Sequence, residues 1–128
     1  MTEHQQALSD KAERALASAR SALEAGDAET AVNRSYYACF YLAQAALLGV
    51  GERPKTHAGT HNRFAFHFAR SGRVPPDIAG VLPHAAQARE RTDYDAFAVT
   101  DAAAAADLLR DAERFVRAVR GVVAPPRP

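Results

Sequence analysis

An all-α, up-and-down bundle of four to five helices is what this 128-residue sequence predicts, on three observations. Hydrophobic residues make up 48% of the chain, and 30 of them are alanine, the strongest helix former and a residue depleted from strands. Apolar positions recur at three- and four-residue spacing over long stretches, the period of a helix with one buried face. Each stretch is bounded by a capping residue, a glycine or a proline, and the turns between stretches are short, which places successive helices side by side. A β-sandwich is excluded by the same composition. The length suits one domain, expected over residues 1–122, with 123–128 (VAPPRP) as a disordered tail.

The first helix is expected from about Thr2 to Ala25, with Leu8, Ala12, Ala15, Leu16, Ala19 and Leu23 on one stripe and Gly26 as its stop. Asp27 can cap the second helix and Glu29 sits in its favourable first turn; the helix continues through AVNRSYYACFYLAQAALL to Gly49 and Gly51. It is apolar nearly all round, so it should be central, and with the last helix it should form the spine. After the turn GERPK, Thr56 can cap a third helix through HAGTHNRFAFHFAR, ending at Gly72. Pro75 and Pro76 open a fourth at about Asp77, which Pro83 should kink before it reaches position 92. A loop over DYDAFAV follows. Thr100 then caps a last helix from Asp101 to about Val122, whose inner stripe is Leu108, Leu109, Ala112, Phe115, Val116 and Val119; the alanine run at 102–106 reads as part of it. No internal repeat is present.

A formal net charge of +1 marks neither an obligate nucleic-acid binder nor a membrane-surface protein by bulk electrostatics. The distribution says more. Residues 1–30 carry three basic against six acidic residues, a net −3, whereas residues 31–92 carry eight against three, a net +5. Fourteen of the 16 basic residues are arginine, the side chain suited to bidentate phosphate contacts and also a mark of a GC-rich gene. The single cysteine, Cys39, excludes an internal disulfide and a Cys-rich zinc site. No window has a signal-peptide core or the roughly 18 apolar residues of a membrane span, so a cytoplasmic protein with no membrane association is expected.

Seven of the ten aromatic residues lie between positions 36 and 68. On the second helix Asn33, Tyr37, Tyr41 and Gln44 share a face of polar tips, while Tyr36, Phe40, Ala43 and Leu47 form a neighbouring apolar face. Tyrosines buried there need hydroxyl partners, so this face, with Arg34 beside it, reads either as a hydrogen-bonded core network or as a polar seam that binds a ligand. Arg89 and Asp93 stand one helical turn apart ahead of Tyr94, a spacing that by itself gives only a surface ion pair of about 0.3–0.5 kcal/mol. His57 and His61 are four apart, but no glutamate lies within the pair and no third ligand is evident, so no metal is expected and His57 reads as a capping-region donor or as one wall of a polar site. No phosphate-binding glycine loop, dinucleotide fingerprint, Cys-His dyad or nucleophilic serine motif occurs, and no cofactor is expected.

Taken together, RSYYACF at 34–40, KTHAG at 55–59 and RERTDYD at 89–95 resemble the HEPN superfamily of small helical bundles. The likeness is to a stand-alone prokaryotic branch that reads R-x-Y-Y-A-x-F, K-T-H-x-G and R-x-x-x-D-Y-D in that order, and it covers about residues 7 to 120. The resemblance implies a bundle that dimerises through its longer helices and is often encoded beside a minimal nucleotidyltransferase, as the toxin of a toxin–antitoxin pair or as a nucleotide- or RNA-binding module. Arg34, Tyr36, Tyr37, His57, Arg89, Asp93 and Tyr94 are the residues it carries over. Catalytic members resemble one another in an arginine followed after four to six residues by a histidine, and act as metal-independent ribonucleases. Here the positions counted from Arg89 hold Tyr94, Asp95 and Ala96, and those counted from Arg91 hold Ala96, Phe97 and Ala98. The sequence therefore supports three readings: a homodimeric nucleotide- or RNA-binding module using Asn33, Arg34, Tyr37, His57, Arg89, Asp93 and Tyr94; an endoribonuclease in which Tyr94 or His57 replaces the missing histidine beside Arg89; and an adaptor for a nucleotidyltransferase partner.

Overall fold

The computed structural model describes residues 1–126. Helix α1 (Glu3–Glu24) begins at a capping box: Thr2 Oγ1 accepts from the Gln5 amide at 3.1 Å, and Gln5 Oε1 accepts from the Thr2 amide at 2.9 Å. Its buried stripe of Ala12, Ala15, Leu16 and Ala19 presents little side-chain bulk, and α1 runs along the next helix over most of its length. Gly26, at φ 79°, turns the chain as expected of a C-terminal glycine. Helix α2 (Ala28–Gly49) is capped by Asp27, whose carboxylate accepts from the Thr30 amide at 3.1 Å and the Thr30 hydroxyl at 2.6 Å. It is the central element, packed by α1 and by every longer helix that follows.

Thr56 caps α3 (His57–Phe64), accepting from the Gly59 amide at 2.9 Å. The helix then widens into a π turn over Ala65–Ala69, with the Arg70 amide reaching back five residues to the Ala65 carbonyl. Phe64 and Phe68 both enter the core, 5.2 Å apart, while Phe66 stays half exposed. The expected fourth helix is two pieces, a single turn α4 (Pro76–Ala79) and α5 (Val81–Tyr94), separated at Gly80 rather than kinked at Pro83. The cause is still Pro83: its ring excludes the carbonyl four residues earlier, at Ala79, and its missing amide costs nothing in the first turn of α5.

The last helix, α6 (Ala102–Arg120), is capped by Asp101 instead of Thr100; Asp101 Oδ1 accepts from the Ala103 amide at 2.8 Å. Its face of Ala105, Leu108, Leu109, Ala112, Phe115, Val116 and Val119 is buried against α2, and Phe115 lies 5.5 Å from Phe64. The architecture is thus all-α, with five helices of eight residues or more among the described residues.

Past α6 the chain stays tied to the bundle as far as Ala124. The Val123 amide bonds to the Val119 carbonyl at 3.1 Å, and the Ala124 carbonyl accepts from Gln5 Nε2 at 2.7 Å. Gln5 is fully buried and also donates to the Ala45 carbonyl at 3.2 Å. A Cβ at Gly49 would run into the Ala124 carbonyl oxygen, so this crossing requires glycine on α2. Of the expected tail, Arg127 and Pro128 lie outside the described residues. Among the described residues no helix is long and apolar enough to cross a membrane.

Candidate functional site

The site is built where α2, α3 and α5 meet. On α2 the Tyr36 side chain is fully buried, with its hydroxyl held between two histidines on successive turns of α3. It lies 2.6 Å from His57 Nδ1 and 2.9 Å from His61 Nε2. His57 lies flat on Phe40, ring centroids 4.2 Å apart, which fixes the plane of its imidazole.

From α5, Arg89 lays its guanidinium over the same aromatic floor, 4.9 Å from the Tyr36 centroid and 5.7 Å from that of Tyr37. Asp93 Oδ2 accepts from Arg89 Nη1 at 3.0 Å, while Arg89 Nε is buried with no hydrogen-bond partner among the described residues. The Arg89 side chain is only 15% exposed, so its charge sits in a less polar setting than a surface arginine's. Arg34 also lies against this floor, its guanidinium 5.0 Å from the Tyr37 centroid, with its Nε donating to Asn33 Oδ1 at 3.0 Å.

Burial and charge together set the protonation of this cluster. Burial pushes the Tyr36 phenol well above its usual range, and Arg89 offsets only part of that rise, so the hydroxyl keeps its proton. Burial, and then the Arg89 charge, holds His57 below the ordinary imidazole value. His61 is lowered by burial, by His57 and by Arg89, with Glu90 opposing. The cluster thus carries two arginines, two histidines that favour the neutral form and a phenol donor, over three aromatic rings. Such a group can hold a phosphate ester, and a neutral imidazole can accept a proton.

Six of the seven expected residues come together here: Asn33, Arg34, Tyr37, His57, Arg89 and Asp93. Tyr94 does not join them. It ends α5 with 80% of its surface exposed. The expected polar face of α2 divides: Tyr41 takes Lys11 of α1 over its ring at 4.7 Å, and Gln44 lines a pocket of about 110 Å³ with Leu8 and Leu48. The Arg89–Asp93 pair is present, but its arginine belongs to an aromatic cluster and not to a solvated helix end.

Tyr36 and His61 are the residues that sequence reasoning left out of the ligand set. Tyr36 belongs, by its register, to the apolar face of α2, and only its hydroxyl leaves that face. His61 reads as half of a metal pair by spacing, whereas the two imidazoles are bridged by the Tyr36 oxygen. Among the described residues no three His, Cys, Asp or Glu side chains gather as a metal-binding set. A second unanticipated group is Glu52, which accepts from Arg63 Nε at 2.8 Å and pairs with His67 Nε2. The Arg63 hydrogen bond is the main cause holding the Glu52 carboxyl below its usual range, and the group staples the α2–α3 turn to α3.

Comparison with known proteins gives a consistent result. A profile described as the HEPN domain matches residues 5–122. The chain is 42% identical over 94 residues to a UPF0332 protein of Gloeobacter violaceus, covering 73% of this chain and 75% of that one. It is 33% identical over 113 residues to a UPF0332 protein of Archaeoglobus fulgidus, covering 88% and 90%. It is also 31% identical over 115 residues, 90% of this chain and 85% of the other, to a protein of Methanocaldococcus jannaschii named "Putative toxin".

Proposed function

Because the chain belongs to the HEPN family, we propose that it holds the phosphate of a nucleotide or RNA at the Arg89 cluster, as a homodimer working with a nucleotidyltransferase in a toxin–antitoxin-type system. The toxin part of this reading is supported by two relatives in Methanocaldococcus jannaschii that are named as toxins. The binding part rests on one observation: Arg89 is nearly buried, is braced by two tyrosine rings, and keeps a buried Nε with no partner among the described residues. An arginine placed only to pair with Asp93 would need neither the rings nor the burial. A phosphate could displace Asp93 from Nη1 and would gain charge-assisted bonds from Arg89 and Arg34.

A second reading, the metal-independent ribonuclease, is favoured by one specific feature. His57 is kept neutral, its Nδ1 is committed to Tyr36, and it shares the aromatic floor with Arg89. His57 Nε2 would take the proton of a 2′-hydroxyl while Arg89 bears the charge growing on the phosphorus oxygens. Tyr94, outside the cluster, has no part in that reading.

Titration of the purified chain with AMP and with a short RNA, at two salt concentrations, tests the proposal. Loss of charged hydrogen bonds worth about 1.5–3 kcal/mol should weaken binding about 10- to 100-fold in Arg89→Ala. An unchanged affinity rejects the site. RNA cleavage in EDTA that disappears in His57→Gln selects the ribonuclease reading; no cleavage by the wild type removes it.

A further inference from the structure

A groove of about 430 Å³ lies beside the cluster, between α3 with its π turn on one side and α4–α5 on the other. Phe64, Ala65, Leu82 and Pro83 give it apolar walls, while His61 and Asn62 supply its polar groups. His61 is therefore shared: its Nε2 is engaged by Tyr36, and the same side chain lines the groove. Along α5, Leu82 and Arg89 are seven residues apart and fall on one face, about 10 Å by helical rise, a span comparable with the reach from base to phosphate in a nucleotide.

The hydrogen bonds of Tyr36 add a constraint. Its hydroxyl has one proton, so it donates to one histidine and accepts from the other. With both imidazoles neutral, only two arrangements satisfy the chain. In one, His57 Nδ1–H donates to Tyr36, Tyr36 donates to His61 Nε2, and His61 carries its proton on Nδ1; His57 Nε2 is then a bare lone pair. In the other, every bond reverses, and His57 Nε2 carries the proton while His61 Nδ1 is bare. Passing from the second to the first releases one proton from His57 Nε2 to water, shifts two along the chain and takes one from water at His61 Nδ1. The net charge is unchanged.

We propose that the groove is the base subsite for the nucleotide whose phosphate Arg89 holds, and that His61 meets the edge of the base and transmits its hydrogen-bonding state through Tyr36 to His57. The inference rests on the phosphate-binding reading above and adds to it the half of the ligand that Arg89 does not touch. A base offering an acceptor to His61 Nδ1 selects the arrangement in which His57 Nε2 is unprotonated. Base recognition and the proton-accepting form of His57 are then one event. Tyr36 is a positioning residue in this scheme, since it acts through the two histidines.

Calorimetric titration of the full chain with AMP and with ribose 5-phosphate, which lacks the base, tests the subsite. Wild type should bind AMP at least 10-fold more tightly than ribose 5-phosphate. Ala65→Trp, which fills the groove, should abolish that margin and leave ribose 5-phosphate within about 2-fold, while Arg89→Ala weakens both ligands. Equal binding of the two ligands by wild type, or an AMP margin that survives Ala65→Trp, overturns the base subsite alone. If neither ligand binds wild type, the phosphate reading falls and takes the subsite with it. A second measurement needs no groove variant: the ¹⁵N imidazole signals of wild type should show His57 Nε2 moving to the unprotonated form with AMP but not with ribose 5-phosphate, and Tyr36→Phe should abolish the movement. Identical His57 signals with the two ligands, or movement that persists in Tyr36→Phe, refute the transmission.

Discussion

Replacing Tyr36 by phenylalanine removes one oxygen from the interior and leaves the ring where it is, over Phe40 and under Arg89. That oxygen makes two hydrogen bonds, at 2.6 Å to His57 and 2.9 Å to His61. A net value near 1 kcal/mol for each gives a loss of about 2 kcal/mol. Both histidines are partly exposed and can recover water, so the loss should stay below what two fully orphaned buried groups would cost. With a urea slope of about 2 kcal/mol/M, expected for a chain of this size, the midpoint of denaturation should fall by about 1 M at pH 7.5, followed by helical circular dichroism, with the slope unchanged. A shift under about 0.2 M would mean that the hydroxyl is not held between the histidines, and the tautomer argument would have no basis. A loss above about 4 kcal/mol would show that the ring packing had also failed, and the hydrogen-bond assignment would then need another account.

Two further outcomes follow from the packing and the charges. Gly49→Ala should cost about 1–3 kcal/mol and strip hydrogen-exchange protection from the Val123 amide, because the new Cβ meets the Ala124 carbonyl; full protection in that variant would contradict the crossing. Stability should also depend on pH through His57 and His61, which face Arg89, Tyr36 and each other, with Glu90 acting on His61. Both pKa values are lowered on folding, so between those values and about 6.5 the unfolded chain binds more protons than the native one, and stability is complete above that range and lost as pH falls through it. Thermal melts from pH 7.5 to 5 should show a decline that is flattened in a His57→Gln, His61→Gln double variant; an equal decline in both proteins would assign it to other groups.

Much of the fold was legible because helix ends are written in local chemistry. Asp27 and Thr56 cap the helices they were expected to cap, and Gly26 turns the chain with the positive φ that glycine allows. The errors of detail are also local. Asp101 outcompetes Thr100 one residue away, and Pro83 breaks the helix at Gly80, ahead of itself, because its ring acts on the carbonyl four residues earlier. The π turn at Ala65–Ala69 left no trace in the periodicity, since Phe64 and Phe68 read the same on an ordinary helix.

At the site, the motif residues on α2, α3 and α5 came together apart from Tyr94. The role of each did not follow from spacing. Tyr36 counts as apolar by its place on α2, and His57 and His61 count as a possible metal pair by theirs. What converts them into a hydrogen-bonded chain is the position of one oxygen relative to another helix.

By itself the sequence determined the all-α class, the central place of α2, most of the caps and the concentration of net positive charge and aromatic residues in the middle of the chain, because periodicity, capping and composition act over a few residues. Only the tertiary structure decided that Arg89 stacks on Tyr36 and Tyr37, that one hydroxyl bridges two histidines, and that the groove borders them. Those contacts join residues 21 to 53 positions apart, and their angles and distances depend on how three helices cross, a property of packing that no local pattern encodes.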